Sequence, residues 1–173
     1  TVEAVEAVEA VEVETVMPWS RVVEKMKNTV LSDRICLLRE PSVVQWLYGD
    51  TSFLGRADTI TTKAARTAWL KKEEDAWGQQ MMRIRRPDLK LDKQWTNRFG
   101  EYLCEEILIL HGKTPFKPEK KNAYQPDVEA KCAIWEAKAQ TYYTEGTAGE
   151  KILGCPFKYA EVPHLYGKPL RIL

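Results

Sequence analysis

Cysteine and histidine are too few and too scattered here to build a zinc or disulfide framework. The four cysteines, Cys36, Cys104, Cys132 and Cys155, form no Cys-x-x-Cys pair, which excludes a zinc knuckle and suits a reducing compartment. Of the two histidines, His111 sits beside Gly112 and reads as a helix-end residue rather than a metal ligand. No run approaches the ~18 apolar residues that a membrane span requires, and no secretory signal is visible. These absences predict an intracellular protein with no membrane partner. Thr1 opens the sequence in place of Met, as expected of a fragment or a processed product.

Basic residues are missing from 1–16, which hold Glu3, Glu6, Glu9, Glu12 and Glu14. The repeat "VEAVEAVEAVEVE" has a period of three, so its valines drift around a helix of 3.6 residues per turn and never hold one face. Residues 1–18 read as an acidic low-complexity leader that Pro18 ends. The net charge of +1 hides this asymmetry, because outside the leader 26 basic residues face 20 acidic ones. Between Lys63 and Arg98 there are ten bases and five acids, a density able to meet phosphates, although such runs are more often solvated faces.

Apolar material is ample, with a hydrophobic fraction of 44% and six tryptophans in 173 residues. That suits one domain with an appended piece. "SRVVEKMKNTVLSDRICLL" predicts a helix capped by Ser20, with Val23, Met26, Val30 and Leu31 at helical spacing. "EPSVVQWLYGD" is a short apolar segment closed by Gly49-Asp50. "TITTKAARTAWLKKEEDAWGQQMMRIR" sets Ala65, Ala68, Trp69 and Trp77 near one helical face and ends at Arg86-Pro87. Residues 19–94 are therefore expected to form a helical N-terminal subdomain, with tryptophans as core rather than as nucleobase platforms. "RRPDLKLDK" holds Pro-Asp and then Asp88 to Lys90, but without an apolar strand it reads as a turn. A new helix follows in "TNRFGEYLCEEILILHGK", with Thr96 as cap and Phe99, Leu103, Ile107 and Leu110 as its stripe. Gly112 stops it, and Glu101 and Glu105 share another of its faces.

"PDVEAKCAIWEAKAQ", residues 126–140, carries Glu-Ala-Lys twice, seven residues apart. As a helix it has a stripe of Val128, Cys132, Trp135, Ala139 and Tyr142, with Pro126 in the first turn. As a hairpin turning near Lys131, it packs Ile134, Trp135 and Ala137 in a sheet while Glu136, Lys138 and Gln140 point one way. The pattern supports both equally. In a sheet, chemistry separates the copies. Asp127 and Glu129 on one strand are ~6.6 Å apart along it, whereas neighbouring strands lie ~4.8 Å apart. Magnesium takes oxygens at ~2.1 Å, so converging carboxylates come from adjacent strands, as Asp127 and Glu136 would.

Pro126-Asp127 followed by Glu136-Ala137-Lys138 resembles the PD-(D/E)xK nuclease signature, most closely that of type II restriction endonucleases. "GEYLCEEIL" before it, and "GTAGEK" and "LYGKPL" after it, add to a likeness that covers residues 95–173. The resemblance implies an α/β (α+β) restriction-endonuclease-like core ordered helix, three strands, helix, strand, behind the helical N-terminal region. The later helix would begin near 147–149, and "PLRIL" would be the final strand. Carried over residue by residue, Asp127, Glu136 and Glu101 would ligate Mg2+ (or Mn2+), with Glu105 as the fallback. Lys138 would stand beside the attacking water, and Gln140, on the same strand face, would orient the lysine or the water.

The implied activity is magnesium-dependent, sequence-specific cleavage of double-stranded DNA. A homodimer is expected, because cutting both strands calls for two sites. A structure-specific repair or recombination nuclease and a non-catalytic DNA-binding module are the alternatives. The intact Asp127, Glu136 and Lys138 set disfavours the module. "TEGTAGEK" lacks the Gly-Lys-Ser/Thr of a phosphate loop, which excludes nucleotide binding. Lys158 and Tyr159 in "PFKY" either touch DNA or pack under the sheet. Many relatives continue past the last core strand with further helices, where target-recognition elements would lie.

Overall fold

The computed structural model describes residues 33–56, 58–88, 95–143 and 152–173. The acidic leader, most of the helix expected from Ser20, and the expected start of the later helix near 147–149 lie outside the described residues. All described residues belong to one compact unit, Leu31–Leu173, so the helices before residue 94 and the segment after it share one unit.

Three helices build the first layer. α1 (Pro41–Leu47) starts on a proline, whose missing N–H costs nothing in a first turn. It ends two residues ahead of Gly49, which adopts φ 77, a left-handed conformation that glycine accepts without strain. α2 (Lys63–Arg85) is capped by the Thr62 hydroxyl, which accepts from the Ala65 N–H, and it stops at Arg86 just before Pro87. α3 (Trp95–Leu110) ends ahead of Gly112, where φ is 70. Thr96, expected as its cap, lies inside the helix, because Trp95 is already helical.

Aromatic rings lock these helices together. Trp46, Trp77, Trp95 and Phe99 are all buried, with ring centroids 5.0–6.2 Å apart and mostly edge-on or tilted. α2 comes close to the Trp95 indole only because residue 78 is glycine, since a Cβ there would stand 2.4 Å from the ring. Two buried carboxylates serve backbone donors that would otherwise be orphaned. Glu106 accepts from the N–H groups of Cys36, Leu37 and Leu38 at 2.9–3.1 Å, and burial raises its pKa. Glu74 accepts from Trp46 Nε1 at 2.9 Å, from Tyr142 N at 2.8 Å and from Tyr143 N at 3.3 Å.

The doubled triplet is a hairpin. β1 (Val128–Glu129) and β2 (Ile134–Glu136) pair antiparallel, with Val128 opposite Trp135 and Glu129 opposite Ile134. Ala130 N–H donates to Ala133 O at 3.0 Å across the turn, leaving Lys131 and Cys132 exposed at the tip. After β2 the chain runs through α4 (Cys155–Lys158) and α5 (Val162–Tyr166) to β3 (Leu170–Ile172), which lies parallel to β2. The sheet order is β1-β2-β3.

Three strands were expected between the helices, and among the described residues there are two, with a bridge from Phe116 to Glu129. Pro115 and Pro118 flank Phe116 and have no N–H to extend that ladder. On one sheet face Val128 packs on Cys104 and Leu108 of α3, with Trp135 and Ala137 alongside. On the other, Ile134 clusters with Cys155, Tyr159, Val162 and Tyr166. The result is an α+β arrangement with helices on both faces of a small mixed sheet. No helix among the described residues is long and apolar enough to cross a membrane.

Candidate active site

Extending the hairpin register one residue past Val128 and Trp135 sets Asp127 opposite Glu136. Directly opposed residues of antiparallel strands have Cα atoms ~4.5–5.5 Å apart, so the two acids meet without any long-range folding event. Asp127 is anchored, as its Oδ2 accepts from the Ala137 N–H at 2.8 Å. Glu136 is only 5% exposed. Its Oε1 accepts from Lys138 Nζ at 2.5 Å and from the Tyr159 hydroxyl at 2.6 Å. Lys138 lies two residues on, on the same side of the chain as Glu136, and its own N–H donates to Leu173 O at 2.8 Å.

Glu101 arrives from α3. The helix approaches the end of β2 closely because residue 100 is glycine, and a Cβ there would stand 2.8 Å from Ala139 Cβ. Glu101, Asp127, Glu136 and Lys138 line one cleft of about 560 Å³, together with Lys158 and Tyr159 of the α4 segment. Burial pushes the Asp127 carboxyl up to about 6, and the negative charges of Glu136 and Glu101 add to the rise. Opposing them is Lys117, whose Nζ lies 3.2 Å from the Asp127 carbonyl oxygen and 3.5 Å from Glu101 Oε2. Burial, followed by the hydrogen bond to Glu136, raises the Tyr159 phenol above its ordinary pKa, so it remains a protonated donor.

Other expected residues lie elsewhere. Gln140 is exposed and lines a neighbouring cavity of about 450 Å³ with Trp46 and Tyr142, instead of the acidic cleft. Glu105 pairs with Arg85 at 3.2 Å and takes no part in the cleft. In the first triplet, Glu129 bonds Lys168 Nζ at 2.5 Å and Lys131 is exposed in the turn. Tyr159 packs under the sheet, one of its two expected places, and its hydroxyl also reaches the acids. Lys117 was missed altogether. It sits in a lysine- and proline-rich loop, ten residues before the aspartate whose carbonyl it touches, with no periodic pattern to single it out.

Among the described residues, no group of three His, Cys, Asp or Glu side chains is arranged to hold a metal ion. The donor chemistry nonetheless fits a hard cation. Asp127 Oδ2 and Glu136 Oε1 are occupied by the hydrogen bonds above, and each carboxylate carries a second oxygen. Carboxylate oxygens are the ligand type magnesium takes, in a shell that water and substrate phosphate ordinarily complete. Comparison with protein-family models, with curated proteins and with solved structures finds no match for this chain, so the chemistry of the cleft is read from its own residues.

Proposed function

We propose that this protein is a divalent-metal-dependent nuclease that hydrolyses phosphodiester bonds of double-stranded DNA at defined sequences. The carrying observation is the cross-strand opposition of Asp127 and Glu136, with Lys138 bonded to Glu136 in a single cleft. Asp127 and Glu136 are the ligands assigned to magnesium or manganese, and Glu101 is assigned to the rim of the same acidic cluster. Magnesium bound there supplies charge stabilisation to the phosphoryl group and a more acidic bound water. Lys138, an ammonium at the cleft wall, orients the attacking water or holds a phosphate oxygen. Water adds its oxygen to phosphorus and loses a proton to solvent in the cleft. The bond to the leaving sugar oxygen breaks and that oxygen takes a proton from solvent, leaving a phosphate end and a hydroxyl end. Lys117 and Lys158, exposed at the rim, are suited to neighbouring phosphates of the duplex.

Digestion of a long defined DNA with magnesium, followed by sequencing of the ends, tests this directly. Discrete ends are expected with magnesium or manganese, and binding without cutting with calcium, whose looser shell positions water poorly. Glu136→Ala and Lys138→Ala should abolish cutting, while Glu129→Ala and Lys131→Ala should retain most of it. Full activity in excess chelator, or sensitivity of the first triplet in place of the second, would overturn the assignment. Cutting confined to branched DNA would move it to a structure-specific nuclease.

A further inference from the structure

Glu136 is held by two donors on one oxygen, and one of them, the Tyr159 hydroxyl, has no part in the chemistry proposed above. A carboxylate oxygen offers about two lone-pair sites. Lys138 Nζ and the Tyr159 hydroxyl fill both on Oε1, which leaves Oε2 as the oxygen available to a cation, and Glu136 is among the residues that line the cleft. The phenol is itself fixed. Tyr159 is 9% exposed in the cluster with Ile134, Cys155, Val162 and Tyr166, and its backbone N–H donates to Cys155 O at 2.9 Å. Its ring centroid lies 6.3 Å from that of Tyr124, the rings tilted by 57°, while Lys138 Nζ and Lys158 Nζ lie 5.6 and 4.9 Å from it. A core-anchored ring thus fixes a hydroxyl on the carboxylate of a residue that lines the cleft.

We infer that Tyr159 is a positioning residue for a divalent cation, its hydroxyl pinning Glu136 so that Oε2 is presented to the metal. This rests on the nuclease reading above. Without the hydroxyl, Glu136 can turn about its side chain, and each metal-binding event must then fix that rotation. Partners that orient metal ligands typically matter by 10–100-fold in affinity. Lys138 alone would still hold Oε1, but on a flexible four-carbon stem rather than a rigid ring.

The test is Tyr159→Phe, which deletes one oxygen and keeps the ring, its packing and both lysine contacts. Manganese binding is measured calorimetrically without DNA, alongside thermal melting in chelator and the magnesium dependence of cleavage. The expected result is metal binding weaker by ~10–100-fold and a matching rightward shift in the magnesium curve. At saturating metal the cleavage rate should recover to within about threefold, because the hydroxyl touches no reacting atom. Equal manganese affinity in the two proteins would overturn the inference and leave the nuclease reading standing. A fall in plateau rate with unchanged metal affinity would overturn it too, as would a Tyr159→Phe chain that no longer folds, which would assign the hydroxyl to the fold. A wild-type chain that neither binds manganese nor cuts would remove the nuclease reading itself.

Discussion

Asp127 carries a charge that its surroundings oppose, and the consequence for stability has a definite sign. Its carboxyl titrates at about 6 in the folded chain because burial and the charges of Glu136 and Glu101 favour the protonated form. The unfolded value is ~3.9. The folded state therefore binds this proton more tightly, so the residue's contribution to stability is lost as pH rises from about 4 to about 6. Asp127→Asn removes the charge and keeps an oxygen to accept from the Ala137 N–H. In chelator at pH 8 the variant should melt above wild type, by roughly 1–2 kcal/mol after discounting for a partly solvated side chain. At pH 4 the difference should largely vanish, and melting curves at the two pH values check it. Cleavage by the variant should fall at least ~100-fold, the scale of losing one major electrostatic element. A variant that melts below wild type at pH 8 would make Asp127 a structural turn residue.

Elements meet at two glycines, and the two contacts have different outcomes. Helical Gly→Ala ordinarily stabilises by ~0.5–1 kcal/mol. At Gly78 the new methyl would enter the Trp95 indole at 2.4 Å, inside the aromatic core, so Gly78→Ala should destabilise by ~1–3 kcal/mol in denaturant melts. At Gly100 the obstacle is Ala139 Cβ at 2.8 Å, beside the end of β2. Gly100→Ala should shift α3 away from that end, separating Glu101 from Lys138 and cutting cleavage on the order of tenfold or more, with a smaller change in melting.

The hairpin itself was half legible in the sequence. Pro126, Val128 and Ala130 alternate with Asp127 and Glu129, and burial follows that period of two. Yet Val128, Cys132, Trp135, Ala139 and Tyr142 also fit a helix. What decides is remote: β3 pairs with β2 only after α4 and α5 have crossed over. Gln140 was misplaced for a related reason. The strand ends at Glu136, so extrapolating its alternation four residues further has no basis in the ladder. The α2 and α3 helices were readable as helices, α3 from its stripe and Gly112 and α2 from its end at Arg86-Pro87. Thr96 is no cap, however, and Ala65 and Ala68 of the expected α2 stripe are exposed.

At the scale of the whole molecule, Glu74 joins what the sequence divides. It is fully buried on α2, and it bonds Trp46 from α1 and the backbone of Tyr142 and Tyr143, which follow the candidate site. Removing it leaves three donors without an acceptor. Glu74→Ala should cost about 3 kcal/mol, since each orphaned buried group carries ~1–3 kcal/mol and some recover water. For a chain of this size that is a melting point lower by roughly 6–12 °C. The loss should be a single cooperative transition reported alike by tryptophan fluorescence and far-ultraviolet dichroism. Two separated transitions would show that the helical layer and the sheet unfold independently.

The hairpin also sets an order of events during folding. Asp127 and Glu136 are nine residues apart in the chain, and a hairpin of that reach closes on the order of microseconds. Glu101 is 26 residues from Asp127 and joins only when α3 docks through Gly100. The two opposed acids thus acquire their spacing as a local event, and the third arrives as a long-range one. Until Lys117 and Tyr159 close in, the young hairpin holds two carboxylates face to face, with Lys138 as the counter-charge on Glu136.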